Sequence, residues 1–300
     1  MTVLPEMVRR TAQSRGTIGQ AWLTALPRYV DELCHTWSLE IDEVMAGGTS
    51  ALVARVRPSA VLKIAPPWDP LADQVRTIAA ADGHGYVRLY AFDPERNAAL
   101  LEPLGPMLPE APEENSLDVL AQTLQQAWQV PRGPLVEFNK ASQLIEIISS
   151  LWPALGRPCS EGLVEQALSY AHQRVAASNS DTCVVCHGDP HANNALAVPS
   201  SRPGAESGYV FVDPDGFLTE PAYDLGVAIR GFTGRLLADA HPVDLLRGYC
   251  RRLSVATGVD EEAIWQWGFV ERVSTGLYLM RHGHHGEGRA YLASAERLAR

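Results

Sequence analysis

Val184-Val185-Cys186-His187-Gly188-Asp189-Pro190-His191-Ala192-Asn193-Asn194-Ala195 is an apolar run that gives way to a polar loop carrying a His, a Gly, an Asp and, five positions after that Asp, an Asn. About twenty residues on, Tyr209-Val210-Phe211-Val212-Asp213 is a second apolar run, again closed by a carboxylate. Short runs rich in Val, Tyr and Phe that end in loop residues read as strands. The pattern therefore puts Asp189 and Asn194 on the loop leaving one strand and Asp213 on the loop leaving another.

That set of oxygen donors suits phosphoryl transfer. One carboxylate orients an acceptor hydroxyl and takes its proton. A second carboxylate and an amide oxygen hold Mg²⁺ against nucleotide phosphates. Asp189 fits the first role, and Asn194 with Asp213 fits the second. A single Asp on a loop is most often a solvated residue. The reading rests on the joint spacing H-G-D-x-x-x-x-N followed by an apolar run that ends in Asp.

Working outward, the chain before this stretch divides in two. Up to about residue 39 it reads as helix, with Trp22, Leu26, Tyr29, Val30 and Leu33 at three- and four-residue steps. Leu39 to Val44 reads as a strand and Gly47-Gly48-Thr49-Ser50 as a turn. Two further strands follow, Ala51 to Val56 and Ala60 to Ala65, the second holding Lys63. Pro66-Pro67-Trp68-Asp69-Pro70 breaks the pattern. Leu71 to Ala81 reads as a helix closed by Gly83 and Gly85, and Val87 to Phe92 and Ala98 to Glu102 as strands. Beyond Pro103-Leu104-Gly105-Pro106 the chain changes character. Segments 116–130, 140–151, 161–178, 222–239, 243–256, 261–282 and 288–299 have helical spacing, with short strands only near Cys183 to Cys186 and Tyr209 to Asp213. The expected fold is α+β, a protein-kinase-like two-lobed arrangement. A mostly antiparallel β-sheet lobe with a leading helix (residues 1–102) joins a larger helical lobe (107–300) through a hinge at 103–106.

The loop around Asp189 resembles the catalytic motif of aminoglycoside and related antibiotic phosphotransferases. Val212-Asp213-Pro214-Asp215-Gly216 and Glu220-Pro221-Ala222-Tyr223-Asp224-Leu225-Gly226 resemble the metal-Asp segment of the streptomycin 6-kinase and hydroxyurea-kinase branch. Gly19 to Leu26 with Pro27, Trp37-Ser38-Leu39, and Gly83 to Leu89 resemble its N-terminal helix, first strand and glycine-bounded turn. The likeness covers most of the chain and is strongest over 183–230.

The resemblance implies ATP, with GTP as the other option, and Mg²⁺ between the lobes. It gives Lys63 the α- and β-phosphates to bind. The usual partner of that Lys is a Glu on the following helix, and Leu71-Ala72-Asp73-Gln74-Val75-Arg76 has none. Gln74 is the expected substitute, ahead of the shorter Asp73. Gly47, Gly48, Thr49 and Ser50 can let backbone approach the phosphates, although a plain hairpin turn explains them equally. Glu102 and Leu104 fall where the hinge offers main-chain groups to the purine. Asp224 takes a structural role bonding the catalytic loop, or caps the helix beginning nearby. His187 fixes the loop and His191 lines the acceptor side. Asp215 stands where streptomycin kinases often carry Lys, which leaves the acceptor open.

Composition narrows the partners. The 300 residues carry a formal net charge of -10, which argues against nucleic acid and favours a cationic ligand. Met1 to Arg10 leads into no apolar run, no stretch has the length of a membrane span, and five cysteines form no disulfide framework, so a cytoplasmic protein is expected. Cys183-Val184-Val185-Cys186-His187 formally matches a c-type haem attachment pattern, but the same residues read as the strand entering the loop. His282-Gly283-His284-His285-Gly286 reads as a loop between helices. The acceptor pocket is expected around Glu271, Arg272, Tyr278, Arg281 and His282. The expected function is ATP-dependent transfer of the γ-phosphate to a hydroxyl of a small cationic acceptor such as an aminoglycoside. The alternatives are a related metabolite kinase, for an amino sugar or choline-like alcohol, and a catalytically silent nucleotide-binding module.

Overall fold

The computed structural model describes residues 4–46, 50–109, 116–133, 135 and 138–299. Gly47, Gly48 and Thr49 of the expected phosphate turn lie outside the described residues.

The leading helix is two helices, α1 (Glu6–Ser14) and α2 (Thr17–Thr36). Gly16 between them has φ 63°, a left-handed geometry that turns the chain. Five strands follow, β1 (Glu40–Val44), β2 (Leu52–Arg57), β3 (Ala60–Ile64), β4 (Leu89–Asp93) and β5 (Ala98–Leu101), with α3 (Ala72–Ala81) inserted after β3. They form one antiparallel sheet in the order β1-β2-β3-β5-β4. Side chains alternate between faces along a strand. On β3, Ala60, Leu62 and Ile64 are buried and pack with Trp22, Leu26, Val30 and Leu33 of α2. Lys63 is thereby committed to the opposite face, toward α3 and the helical lobe.

The helical lobe contains α4 (Ser116–Ala127), α5 (Lys140–Ala154), α6 (Glu161–Ala177), α7 (Ala222–Ala228), α8 (Thr233–Ala238), α9 (Pro242–Thr257), α10 (Glu261–Arg281) and α11 (His285–Leu298). α10 is its spine. Trp265, Trp267, Phe269, Val270, Val273 and Leu277 are all buried, on every side of the helix, and α5, α6, α7, α9 and α11 pack around it. Two small two-stranded sheets carry the catalytic stretch. β6 (Val184–Cys186) pairs with β9 (Phe217–Thr219), and β7 (Ala195–Ala197) with β8 (Tyr209–Phe211). All four strands are three residues long, and the sequence pattern finds β6 and β8 but not β7 and β9.

The expected helix 222–239 is broken. α7 stops after Ala228 and α8 starts at Thr233, with Arg230-Gly231 in the turn between. Gly is a poor helix residue, and the buried Arg272 grips both ends of the break. It donates to the Ile229 carbonyl at 3.0 Å and to Thr233 Oγ1 at 2.9 Å.

Arg202, between β7 and β8, ties the helical lobe to the sheet lobe. It donates to both carboxylate oxygens of Glu102, at 2.8 and 2.7 Å, and to the carbonyls of Gly83, at 2.6 Å, and Tyr86, at 3.0 Å. Both members of this ion pair are about nine-tenths buried. Arg202→Met strands the Glu102 charge, and a loss of about 3 kcal/mol in urea unfolding is expected.

Candidate active site

β6 delivers His187 into the core, where it is fully buried. Its Nε2 donates to the Val212 carbonyl at 2.9 Å, and its Nδ1 accepts the Asp189 N–H at 3.1 Å. The ring stacks on Tyr86 and meets Phe211 edge-on. One ring nitrogen donates and the other accepts, so the neutral imidazole is the form the site fits. Burial lowers its pKa from 6.5 to about 4. In an NMR pH titration the His187 ring is expected to keep its neutral signal down to about pH 4. Its contribution to stability is full above pH 6.5 and is lost as pH falls toward 4, because the unfolded chain binds that proton first.

The loop continues through Gly188, where φ is 93° and a Cβ would strike the Asp215 side chain, so only Gly fits. Asp224, from the first turn of α7, is fully buried beneath the loop. Its carboxylate accepts the N–H groups of His187 and Gly188 and the Trp128 indole N–H, each at 2.9 Å. Burial pushes its pKa from 3.8 up to about 6 against those donors. Its contribution to stability therefore runs opposite to that of His187, declining as pH rises from about 4 to 6.

Asp189 is at the loop's open edge, with its side chain 38% exposed. One oxygen, Oδ1, accepts from Arg230 Nη2 at 2.7 Å, and the other, Oδ2, lies 3.2 Å from His191 Nε2. Burial alone would raise its pKa, but the His191 and Arg230 contacts outweigh it and hold the carboxyl well below the usual range. Asn194 donates through Nδ2 to the Asp189 carbonyl at 2.9 Å, and its own carbonyl accepts Val212 N–H at 2.9 Å. That second bond sets Asn194 beside Asp213. Asp213 has φ 57°, a strained geometry for a residue with a Cβ. Its Oδ1 lies 2.6 Å from Lys63 Nζ, across the cleft between the lobes. Lys63 Nζ also donates to Gln74 Oε1 on α3, at 3.3 Å.

Asp215 lies against Gly188, and its N–H donates to the His187 carbonyl at 2.7 Å. Its pKa is raised by burial, with Lys140 pulling the other way. The Lys140 ammonium lies over the rings of Phe217 and Tyr223, at 5.4 and 5.5 Å. Ser50 Oγ donates to Asp69 at 2.8 Å. The Glu102 carboxylate is taken up by Arg202 and by the Arg88 N–H, and Leu104 packs at the edge of the main core.

The expected acceptor grouping does not assemble as one cluster. Glu271 reaches Asp189 through Arg230, whose Nη1 donates to Glu271 Oε2 at 3.0 Å. Arg272 is spent on α8 and α11, through Thr233 and Ser294. Tyr278, Arg281 and His282 are exposed at the far end of α10, with Tyr278 about 10 Å along the axis from Glu271. Pattern reading missed Arg230, Trp128 and Lys140. Arg230 was hidden by the assumption of a continuous helix, and the other two carry no motif.

The Mg²⁺ that phosphoryl transfer calls for fits the residues present. The Asp213 carboxylate and the Asn194 amide are hard oxygen donors, and Mg²⁺ takes one or two protein oxygens and completes its shell with phosphates and water. Among the described residues no cluster of three or more His, Cys, Asp or Glu forms a closed metal cage.

A sheet lobe with its lysine on β3, facing an H-G-D loop and a downstream Asp on a helical lobe, defines a protein-kinase-like small-molecule kinase. The chain belongs to the aminoglycoside/hydroxyurea antibiotic resistance kinase family, whose profile matches residues 36–283. It is 27% identical over 281 residues to the streptomycin 6-kinase of Streptomyces glaucescens, covering 91% of this chain and 89% of that one. To the hydroxyurea phosphotransferase of Kitasatospora aureofaciens it is 26% identical over 307 residues, covering 98% and 84%. Among solved structures, the GDP complex of aminoglycoside 2'-phosphotransferase-IIIa superposes with a TM-score of 0.57 at 14% identity, covering 91% of this chain and 96% of that one. The chain is thus a phosphotransferase that binds a nucleotide and a small-molecule acceptor.

Proposed function

We propose that the protein transfers the γ-phosphate of ATP to a hydroxyl of a small cationic acceptor of the aminoglycoside type, streptomycin-like in its charge. The observation that carries this is the assembly of four groups from separate parts of the chain. Lys63 meets Asp213 at 2.6 Å, and Asn194 holds the Asp189 carbonyl at 2.9 Å. Lys63 steadies the α- and β-phosphates, with Gln74 orienting it. Asn194 and Asp213 would hold Mg²⁺, which supplies charge neutralisation for the phosphates. Ser50, residues Gly47, Gly48 and Thr49, and the main chain around Glu102 and Leu104 complete the nucleotide side, where GTP is the other purine option. The units are the nucleotide lobe 1–102, the hinge 103–106 and the helical lobe 107–300.

Asp189 orients the acceptor hydroxyl. A carboxylate held ionised so firmly is a weak base, so it accepts the hydroxyl's hydrogen bond and takes the proton late, as the new P–O bond forms. His187 and Asp224 shape the loop, and His191 lines the acceptor side.

On that side Asp189, Asp215 and Glu271 outnumber Arg230 and Lys140. Together with the net charge of -10, this draws a cation. A singly charged amino alcohol is the second reading, favoured by the two cations that offset most of that acidity. We assign the protein to the cytoplasm. Its five cysteines are free, and no helix among the described residues is long and apolar enough to cross a membrane.

The test is an ATP-consumption screen against aminoglycosides, hydroxyurea and common amino alcohols. Acceptor-dependent ADP release is expected, strongest with an aminoglycoside. No acceptor-dependent release across the panel would contradict the proposal.

A further inference from the structure

We propose that Arg230 is a positioning residue for phosphoryl transfer: it clamps one oxygen of Asp189 and so assigns the other, Oδ2, to the acceptor hydroxyl. This rests on the reading of Asp189 as the residue that faces the acceptor.

The break between α7 and α8 puts Arg230 in the turn, and Arg272 holds both ends of that turn. The Arg230 guanidinium is largely buried and bridges two carboxylates. Nη1 donates to Glu271 Oε2 at 3.0 Å and Nη2 to Asp189 Oδ1 at 2.7 Å. Glu271 is itself fixed, its Oε1 accepting the Tyr223 hydroxyl at 2.9 Å. A buried Arg needing only charge balance would be satisfied by Glu271. Here its second amino group is spent on a carboxylate at the open edge of the site. A guanidinium anchored on Glu271 makes one charge-assisted bond to Asp189, which fixes where Oδ1 sits and leaves Oδ2 as the oxygen turned to the open edge. The contact on Oδ2 is His191, which is one-third exposed and 3.2 Å away, and an incoming hydroxyl can displace it.

The variants are Arg230→Met with Glu271→Gln, which leaves no charge orphaned and keeps an acceptor for Tyr223, together with Arg230→Lys and Asp189→Ala. Each is measured for kcat, for KM toward nucleotide and acceptor, and for melting temperature. For the double variant the expected result is a melting temperature and nucleotide KM near wild type with kcat down about 10²-fold, the scale of a misplaced reacting group. Arg230→Lys, which keeps the charge but loses the fork, should recover part of that loss. Millimolar guanidinium should raise kcat of the double variant, and the same concentration of urea should not. If Asp189→Ala is inactive while the double variant keeps wild-type kcat, the role of Arg230 is overturned and the reading of Asp189 stands. A double variant that loses nucleotide binding together with kcat would make Arg230 structural only and overturn the proposal. An Asp189→Ala protein that transfers phosphate at the wild-type rate would remove the reading itself and the proposal with it.

Discussion

Asp189→Ala is expected to bind nucleotide as the wild type does while losing roughly 10²–10⁴-fold in transfer rate, the range for removal of a positioned acid–base group. The loop should survive the change, because two main-chain bonds at this position remain when the side-chain contacts to Arg230 and His191 are lost. The Asp189 N–H donates to His187 and the Asp189 carbonyl accepts from Asn194, and neither uses the side chain. Arg230 keeps Glu271 as its partner, so no buried charge is left alone. What disappears is the carboxylate that meets the acceptor hydroxyl. Thermal shift with nucleotide and a steady-state rate with acceptor separate the two effects. A variant that kept its rate would remove Asp189 from the chemistry.

The largest effect on stability is expected at Asp224. Asp224→Ala leaves three donors without their acceptor, the His187 and Gly188 N–H groups and the Trp128 indole. An orphaned buried donor costs about 1–3 kcal/mol, so for three of them a loss of about 3–9 kcal/mol is expected. That is a large share of the roughly 5–15 kcal/mol that holds a typical domain together. The urea midpoint should fall accordingly, and activity with it, since those bonds shape the loop. Asp224→Asn should fare little better, because its amide nitrogen would present a donor to at least one of the same N–H groups. An unchanged urea midpoint would show that the loop holds its shape without this carboxylate.

Much of this architecture is legible in the residue order. Alternation along Val61-Leu62-Lys63-Ile64 puts Lys63 opposite Leu62 and Ile64, and in the structure those two are buried under α2 while Lys63 crosses to Asp213. The spacing from Asp189 to Asn194 becomes a direct bond between them. Tertiary context decides the rest. The helical spacing over 222–239 is sound locally, yet the chain breaks at Arg230-Gly231, where the buried Arg272 binds the freed Ile229 carbonyl. No local pattern announces a partner over forty residues away, so Arg230 and its link to Asp189 stay hidden until the fold is seen. The same reason explains the acceptor residues. Glu271 and Tyr278 share one helix in sequence, but seven residues along α10 carry Tyr278 away from the site and into solvent.

Transfer of a phosphoryl group to an acceptor hydroxyl at Asp189 leaves a covalent mark on the acceptor. Mass spectrometry of the acceptor after incubation with ATP, Mg²⁺ and protein tests it most directly. An acceptor heavier by one phosphoryl group is expected with wild-type protein, formed in step with ADP, and in the same time roughly 10²–10⁴-fold less of it with Asp189→Ala. Phosphorylated acceptor appearing equally with both proteins would contradict it.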